Sequence, residues 1–193
     1  MSALPKKRWT AEEYLAFERA SDEKHEFING DIFLMGGASR EHNLIVFNLA
    51  RVLGNQLSGR PCEAYANDMR VKLNVKNYVY PDLVVVCEPP DFDDNHGDSL
   101  LNPTLLMEVL SPSTEQYDRG DKFESYRALN SLQEYLLLTQ NRPHIERYDR
   151  QVDGTWVLFE VSGLDTTLEL PSIGCTLALA DVYDKVAFDE NIS

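Results

Sequence analysis

Asp82 and Glu108 are carboxylates in stretches otherwise made of core residues. Asp82 follows Pro81 and opens the run Leu83-Val84-Val85-Val86, and Glu108 lies between Met107 and Val109 inside an apolar segment over residues 104–110. An ionised carboxylate in an apolar strand is costly unless it is paired or binds a cation. Period-two alternation puts Tyr80, Asp82 and Val84 on one face, and Leu106, Glu108 and Leu110 on one face of the later strand. If those strands pair, both carboxylates point into one notch. Two hard oxygen ligands side by side suit Mg²⁺ or Mn²⁺, ions that keep several waters and accept phosphate oxygens. Such an ion polarises a phosphoryl group and lowers the pKa of a bound water. Taken singly, either carboxylate could instead meet water, an arginine or a backbone N–H.

The surrounding elements are of the kind that could hold such a notch. Thr10-Ala11-Glu12-Glu13 is a capping-box pattern that starts a short helix to about residue 20. Asn29-Gly30 between two apolar runs (26–28 and 31–35) predicts a tight hairpin. Ser39 can cap a helix to about residue 57, with Gly59 as its stop. Its apolar residues cover most of its circumference, which predicts burial against a sheet. Strands are expected over 62–66, 69–75 and 78–86, followed by a solvated acidic loop over 89–98 and the Glu108 strand. A helix over about 119–129 precedes a buried strand at 135–138. Strand-like segments at 145–148 and 156–161 flank Asp153-Gly154 as a second hairpin, and the tail reads as an irregular extension. This order predicts a single α/β domain over residues 1–193, a mixed central sheet flanked by helices, with an N-terminal hairpin and a C-terminal β extension.

Composition limits the function classes. The 193 residues are 43% hydrophobic and 26% charged, as in globular proteins, and no apolar run is long enough to span a membrane. The start, Met1-Ser2-Ala3-Leu4-Pro5-Lys6-Lys7-Arg8, is basic with no apolar stretch behind it, so no secretory signal is expected. Cys62, Cys87 and Cys175 are odd in number and far apart; they read as three free thiols in a reducing compartment, which points to the cytoplasm. The net charge of −14 weighs against a nucleic-acid partner. Such a partner requires that basic residues gather on one face, with Arg40, Arg51, Arg60, Arg70, Lys72, Arg119, Lys122 and Arg127 as candidates. His25, His96 and His144 follow no ligand spacing and read as surface residues.

Tyr80-Pro81-Asp82-Leu83-Val84-Val85-Val86, then Glu108-Val109-Leu110-Ser111-Pro112-Ser113, then Asp118, Lys122, Tyr126 and Glu134-Tyr135 occur in an ordered series. It resembles a restriction-endonuclease family within the PD-(D/E)XK nuclease superfamily. The Glu26-Phe27-Ile28-Asn29-Gly30 hairpin and the helix beginning near His42 are similar to that family's layout, and the likeness covers about residues 9–180. It implies a restriction-endonuclease-like fold in which Asp82 and Glu108 are metal ligands, with the Val109 carbonyl as a third. The superfamily's lysine normally stands two residues after the second acid, where this chain has Leu110. The resemblance implies a replacement from the next helix, Lys122, to orient or activate water; Tyr126 is four residues on, on the same helix face. Lys122 could also be a solvated residue paired with Asp118 or Glu124. Glu41 would supplement the metal site as a helix carboxylate. His42 would touch the scissile phosphate or cap its helix, and Glu26 would join the site or form the polar edge of the hairpin.

The activity expected is metal-dependent hydrolysis of a nucleic-acid phosphodiester, most simply DNA, leaving a 5′-phosphate, and superfamily resemblance makes a homodimer that cuts two strands an open expectation. The alternative is a catalytically inactive nuclease-fold binding or assembly module, supported by Leu110 and the negative charge. A third reading, an interaction protein with Trp156 and Phe159 as its contact patch, rests on hairpin aromatics alone.

Overall fold

A short helix opens the computed structural model, which describes residues 8–188. The basic start of the chain lies outside them, except for Arg8. Helix α1 (Ala11–Ala20) begins as its capping box dictates: Thr10 Oγ accepts from Glu13 N at 3.2 Å and Glu13 returns the bond to Thr10 N at 3.0 Å. Strands β1 (His25–Ile28) and β2 (Asp31–Leu34) form the hairpin, with Asn29 and Gly30 at φ 52° and 90°. Helix α2 (Arg40–Leu57) starts on the Ser39 cap. Strands β3 (Glu63–Ala66), β4 (Arg70–Asn74), β5 (Asn77–Val79), β6 (Leu83–Val86), β7 (Ser99–Leu100) and β8 (Leu105–Val109) follow. Helix α3 (Glu115–Tyr117), a π-helical turn (Asp118–Lys122) and helix α4 (Phe123–Arg127) come next. The chain closes with β9 (Glu134–Leu138), β10 (His144–Arg150), β11 (Trp156–Ser162), β12 (Thr167–Leu170), β13 (Cys175–Ala178) and α5 (Leu179–Val182).

Two mixed sheets carry β1 to β11, and β12 and β13 pair with each other as a separate antiparallel hairpin. The larger has the order β11-β10-β9-β8-β6-β3, with β8 and β9 parallel and the other pairs antiparallel. The smaller has the order β2-β1-β5-β4-β7. Strands β6, β8 and β9 are buried on both faces, and their apolar runs divide by alternation. Leu83, Val85, Met107, Leu136 and Leu138 face Ile45, Leu49 and Leu53 of α2. Val84, Leu106, Tyr135 and Leu137 face Phe123 and Tyr126 of the α3–α4 segment.

Several sequence expectations change. Helix α2 is not apolar all round: Phe47 is 65% exposed, while Asn48 is buried and donates to the carbonyls of Val182 and Asp184 at 3.0 Å each. The tail is a β12–β13 hairpin and a short helix whose Leu168, Leu177 and Val182 complete the α2 side of the core. The acidic loop over 89–98 is an ion-pair clamp. Asp94 and Asp98 hold Arg19 at 2.7 and 2.8 Å, Asp98 also holds buried Arg70 at 2.6 Å, and Asp93 holds Lys72. His25 and His144 are buried rather than superficial.

Cys62 and Cys87 form a disulfide, not two free thiols. The cause is register: β3 and β6 pair antiparallel with Glu63 opposite Val86, so one further step sets Cys62 opposite Cys87. Linear spacing alone hides that adjacency.

Candidate active site

Strand register brings the two anomalous acids together. In the β6–β8 ladder Leu83 lies opposite Met107 and Val84 opposite Leu106, so the next step sets Asp82 opposite Glu108. The ladder stops there because Pro81 has no N–H to give and the chain turns away into Tyr80. Directly opposed Cβ atoms in an antiparallel pair lie roughly 5 Å apart. The Val109 N–H donates to Asp82 Oδ2 at 2.7 Å.

Each acid is held from one side. Asp82 Oδ2 also meets His42 Nε2 at 3.1 Å, while Glu108 Oε1 accepts from Tyr126 Oη at 2.7 Å and from Lys122 Nζ at 2.8 Å. These bonds engage one oxygen of each carboxylate, and the other oxygen of each bonds to nothing among the described residues. Lys122 Nζ lies 3.4 Å from Glu26 Oε1, 3.6 Å from Asp118 Oδ1 and 6.0 Å from the Tyr117 ring centre. One ammonium therefore faces Glu108, Glu26 and Asp118, with Asp82 beyond.

This crowding of negative charge in a buried place governs the protonation states. Burial pushes Glu108 from 4.5 up to about 8; Lys122 opposes the shift, and Asp118 and Asp82 add to it. Burial likewise raises Asp118, against Lys122 and a hydrogen bond from Thr114. For Lys122 burial disfavours the charge, but Glu108, Glu26 and the other neighbours outweigh it and hold the ammonium well above its ordinary value. Among the described residues Lys122 is the cation of the notch, and Glu108 keeps a proton near neutrality.

The predicted residues separate into two groups. Asp82, Glu108, Lys122, Tyr126, His42 and Glu26 converge, and Val109 contributes its N–H to Asp82. Glu41 does not: its carboxylate pairs with Arg40 at 3.2 Å, and it contacts neither Asp82 nor Glu108 among the described residues. The helix cap is Ser39 rather than His42, whose backbone N–H donates to Ser39 Oγ at 3.0 Å while its ring reaches Asp82 Oδ2 at 3.1 Å. Leu110 is buried in the core with Phe123 and Tyr126 of the α4 segment.

Asp118, named from the sequence as a partner of Lys122, is a buried carboxylate beside it, and one further participant escaped sequence reasoning. Gln140 accepts from Ser39 Oγ at 2.6 Å and donates to the Leu110 carbonyl at 2.8 Å, tying the start of α2 to the end of β8. No motif signals a lone glutamine in a loop.

The donor set fits a hard divalent cation. Asp82 and Glu108 each offer an oxygen free of hydrogen bonds. Among the described residues no third His, Cys, Asp or Glu atom forms a cluster with both of them within 4.8 Å. Two carboxylates and a backbone carbonyl, all oxygen donors, match Mg²⁺ or Mn²⁺ better than Zn²⁺. The basic residues named from the sequence are engaged internally. Arg70 and Lys72 bind the acidic clamp, Arg51 and Arg60 bind backbone carbonyls, and Arg119 binds Glu115 and Glu146.

Comparison with known proteins agrees with this architecture. A family model described as "Uma2: Putative restriction endonuclease" matches residues 11–180. "Uncharacterized protein slr1290" of Synechocystis sp. (strain ATCC 27184 / PCC 6803 / Kazusa) is 39% identical over 187 residues, 96% of this chain and 97% of that protein. "Uncharacterized protein sll1609" of the same organism is 41% identical over 161 residues, 83% and 91% of the two chains. Among solved structures, a protein from Anabaena variabilis ATCC 29413, described as a putative nuclease belonging to DUF820, superposes with a TM-score of 0.73. That match spans 93% of this chain and 99% of the other at 18% identity, and shares its mixed α/β fold.

Proposed function

The chain belongs to the Uma2 family, described as putative restriction endonucleases, and from that premise we propose that it is a metal-dependent endonuclease acting on DNA. One observation carries the reading: Asp82 and Glu108 sit opposite each other at the open end of a ladder, with Lys122 Nζ 2.8 Å from Glu108.

Asp82, Glu108 and the Val109 carbonyl would hold Mg²⁺ or Mn²⁺, which when bound supplies Lewis acidity at a phosphoryl oxygen and a more acidic water. The chain's own residues supply the rest. The Val109 N–H and His42 fix Asp82, and the Tyr126 hydroxyl fixes Glu108, so the free oxygen of each keeps its direction. Lys122 stands where the superfamily's lysine would act. Its ammonium orients the attacking water and meets the negative charge that grows on the phosphoryl oxygens. Glu26 and Asp118 hold that ammonium in place from behind. Water oxygen bonds to phosphorus as the P–O3′ bond breaks, the 3′ oxygen leaves with a proton, and a 5′-phosphate remains.

A duplex needs two cuts, and a homodimer would supply two sites. Strand β11 ends the large sheet and exposes Val157, Leu158 and Phe159 along its outer side, which makes it the surface for that contact. A DNA substrate would put the enzyme in the cytoplasm, although the Cys62–Cys87 bridge removes the free-thiol argument for that compartment.

The test uses purified protein with plasmid, linear duplex, single-stranded DNA and RNA, in Mg²⁺, Mn²⁺ or EDTA. Asp82→Ala and Glu108→Ala each abolish cation-dependent cleavage while the circular dichroism spectrum is kept. Undiminished cleavage by either variant removes the mechanism. A second reading, a non-catalytic binding module, is favoured by the net charge of −14. It gains if the wild type binds nucleic acid without cleaving any of these substrates.

A further inference from the structure

On the same face of the large sheet as Glu108, but two strands away, a second group of ligating side chains comes together. Glu108 pairs with Leu137, Leu137 with Glu146, and Glu146 with Glu160, so the four residues form one row across β8, β9, β10 and β11. Two interstrand spacings put Glu146 roughly 10 Å from Glu108, beyond the roughly 4 Å at which two ions share one reaction. Any site at Glu146 is therefore separate from the notch.

Glu146 and Glu160 are directly opposed like charges, an arrangement that is unfavourable without a cation. Arg119 answers one oxygen only, Glu146 Oε2. The other, Oε1, faces His144 Nε2 at 3.5 Å, and Glu160 Oε1 faces the same nitrogen at 3.5 Å. His144 is 5% exposed. Its Nδ1 is 2.8 Å from Ser162 Oγ, while Nε2 makes no hydrogen bond among the described residues and is aimed at the two carboxylates. A Nδ1–H donated to Ser162 leaves the Nε2 lone pair pointing into the group, the arrangement by which an outer partner sets a ligating imidazole.

The spacing has a chemical meaning. Two ligands about 2.05 Å from a tetrahedral ion stand roughly 3.3 Å apart. Both nitrogen–oxygen separations here are close to that value, and all three ligand atoms lie within 4.8 Å of one another. One imidazole and two carboxylate oxygens, with a fourth position toward solvent beside half-exposed Glu160, form a donor set for Zn²⁺ rather than Mg²⁺.

We propose that His144, Glu146 and Glu160 form a Zn²⁺ site on the β10–β11 hairpin, distinct from the Asp82–Glu108 notch. It pins the edge strand β11 to β10 and neutralises the opposed carboxylates. The proposal does not depend on the nuclease reading.

The experiment is calorimetric titration of Zn²⁺ into the metal-stripped full chain, carried out in an Asp82→Asn background to remove binding at the notch. One equivalent of Zn²⁺ still binds in that background. Adding Glu160→Gln, at a side chain 54% exposed and therefore harmless to folding, weakens it by more than the about 10- to 100-fold that loss of an outer partner costs. His144→Gln has the same effect, and if that variant does not fold, Glu160→Gln decides alone. Co²⁺ in place of Zn²⁺ gives a visible spectrum that Glu160→Gln alters. No Zn²⁺ binding in the Asp82→Asn background overturns the site, as does binding that Glu160→Gln leaves unchanged.

Discussion

Glu108→Gln should make the metal-free protein more stable in alkaline solution than in acid, relative to wild type. Burial raises the Glu108 carboxyl from 4.5 in the open chain to about 8 in the fold, with Asp118 and Asp82 adding to the rise and Lys122 opposing it. The folded state therefore holds this proton more tightly than the unfolded state. The stability it contributes is fully present below about pH 4.5 and is lost as pH climbs through about 8. At about 1.36 kcal/mol per pH unit that window corresponds to about 5 kcal/mol. Glutamine cannot ionise and so shows no such loss, while its amide oxygen can still accept from Tyr126. Asp118 reduces the difference, since its own proton leaves more readily once position 108 is neutral, so about 3–5 kcal/mol is expected. The assay is urea unfolding of both proteins in EDTA at five pH values between 5 and 9. Subtracting the two curves cancels every group the substitution does not touch. A difference that changes by less than about 1 kcal/mol across that range would refute the argument from burial.

Other consequences are equally direct. Tyr126→Phe deletes a buried hydroxyl that donates to Glu108 at 2.7 Å; a loss of about 1.5–3 kcal/mol is expected in urea unfolding, and an unchanged midpoint contradicts it. Arg70→Met strips a buried guanidinium from Asp98, Ser99 and Tyr80 and should cost about 3–5 kcal/mol, read as a fall in melting temperature. Arg19 holds Asp98 below the usual carboxylate range, with Arg70 adding to the effect. That contribution is present at neutral pH and lost on acidification, so the Arg70→Met deficit narrows in acid. Cys62→Ser opens a bridge between residues 25 apart and should lower unfolding stability by about 3.5 kcal/mol in oxidised protein, with no effect once wild type is reduced; equal stability of the oxidised pair argues against the bridge.

The acids of the notch were legible because each broke a local rule. A carboxylate inside Leu-Leu-Met-Glu-Val or ahead of Leu-Val-Val-Val needs an explanation, and pairing geometry supplies one. The Asn29-Gly30 hairpin and both helix caps were legible for the same reason, since the chemistry that forms them lies within four residues. What was hidden depends on the third dimension. The Cys62–Cys87 bridge follows from β3–β6 register, the clamp on Arg19 from a loop folding back across 75 residues, and the His144 cluster from a cross-strand pairing. The pairing of Glu41 with Arg40 was hidden because helix position alone does not say which way a first-turn side chain leans.

The π-helical turn at Asp118–Lys122 gives the lysine its phase. Such a turn holds one residue more than an α-helical turn, so everything after it is rotated by about 100° relative to a regular helix. With an apolar Leu110 at the end of the strand, the ammonium beside Glu108 comes from this segment. A protein with Gly120 excised would keep both strands, both acids and the sheet, yet send Lys122 toward another quarter of the helix. The placement of the Lys122 ammonium beside Glu108 thus rests on a single surplus residue, and shortening the chain by one would move it while leaving both acids in their strands.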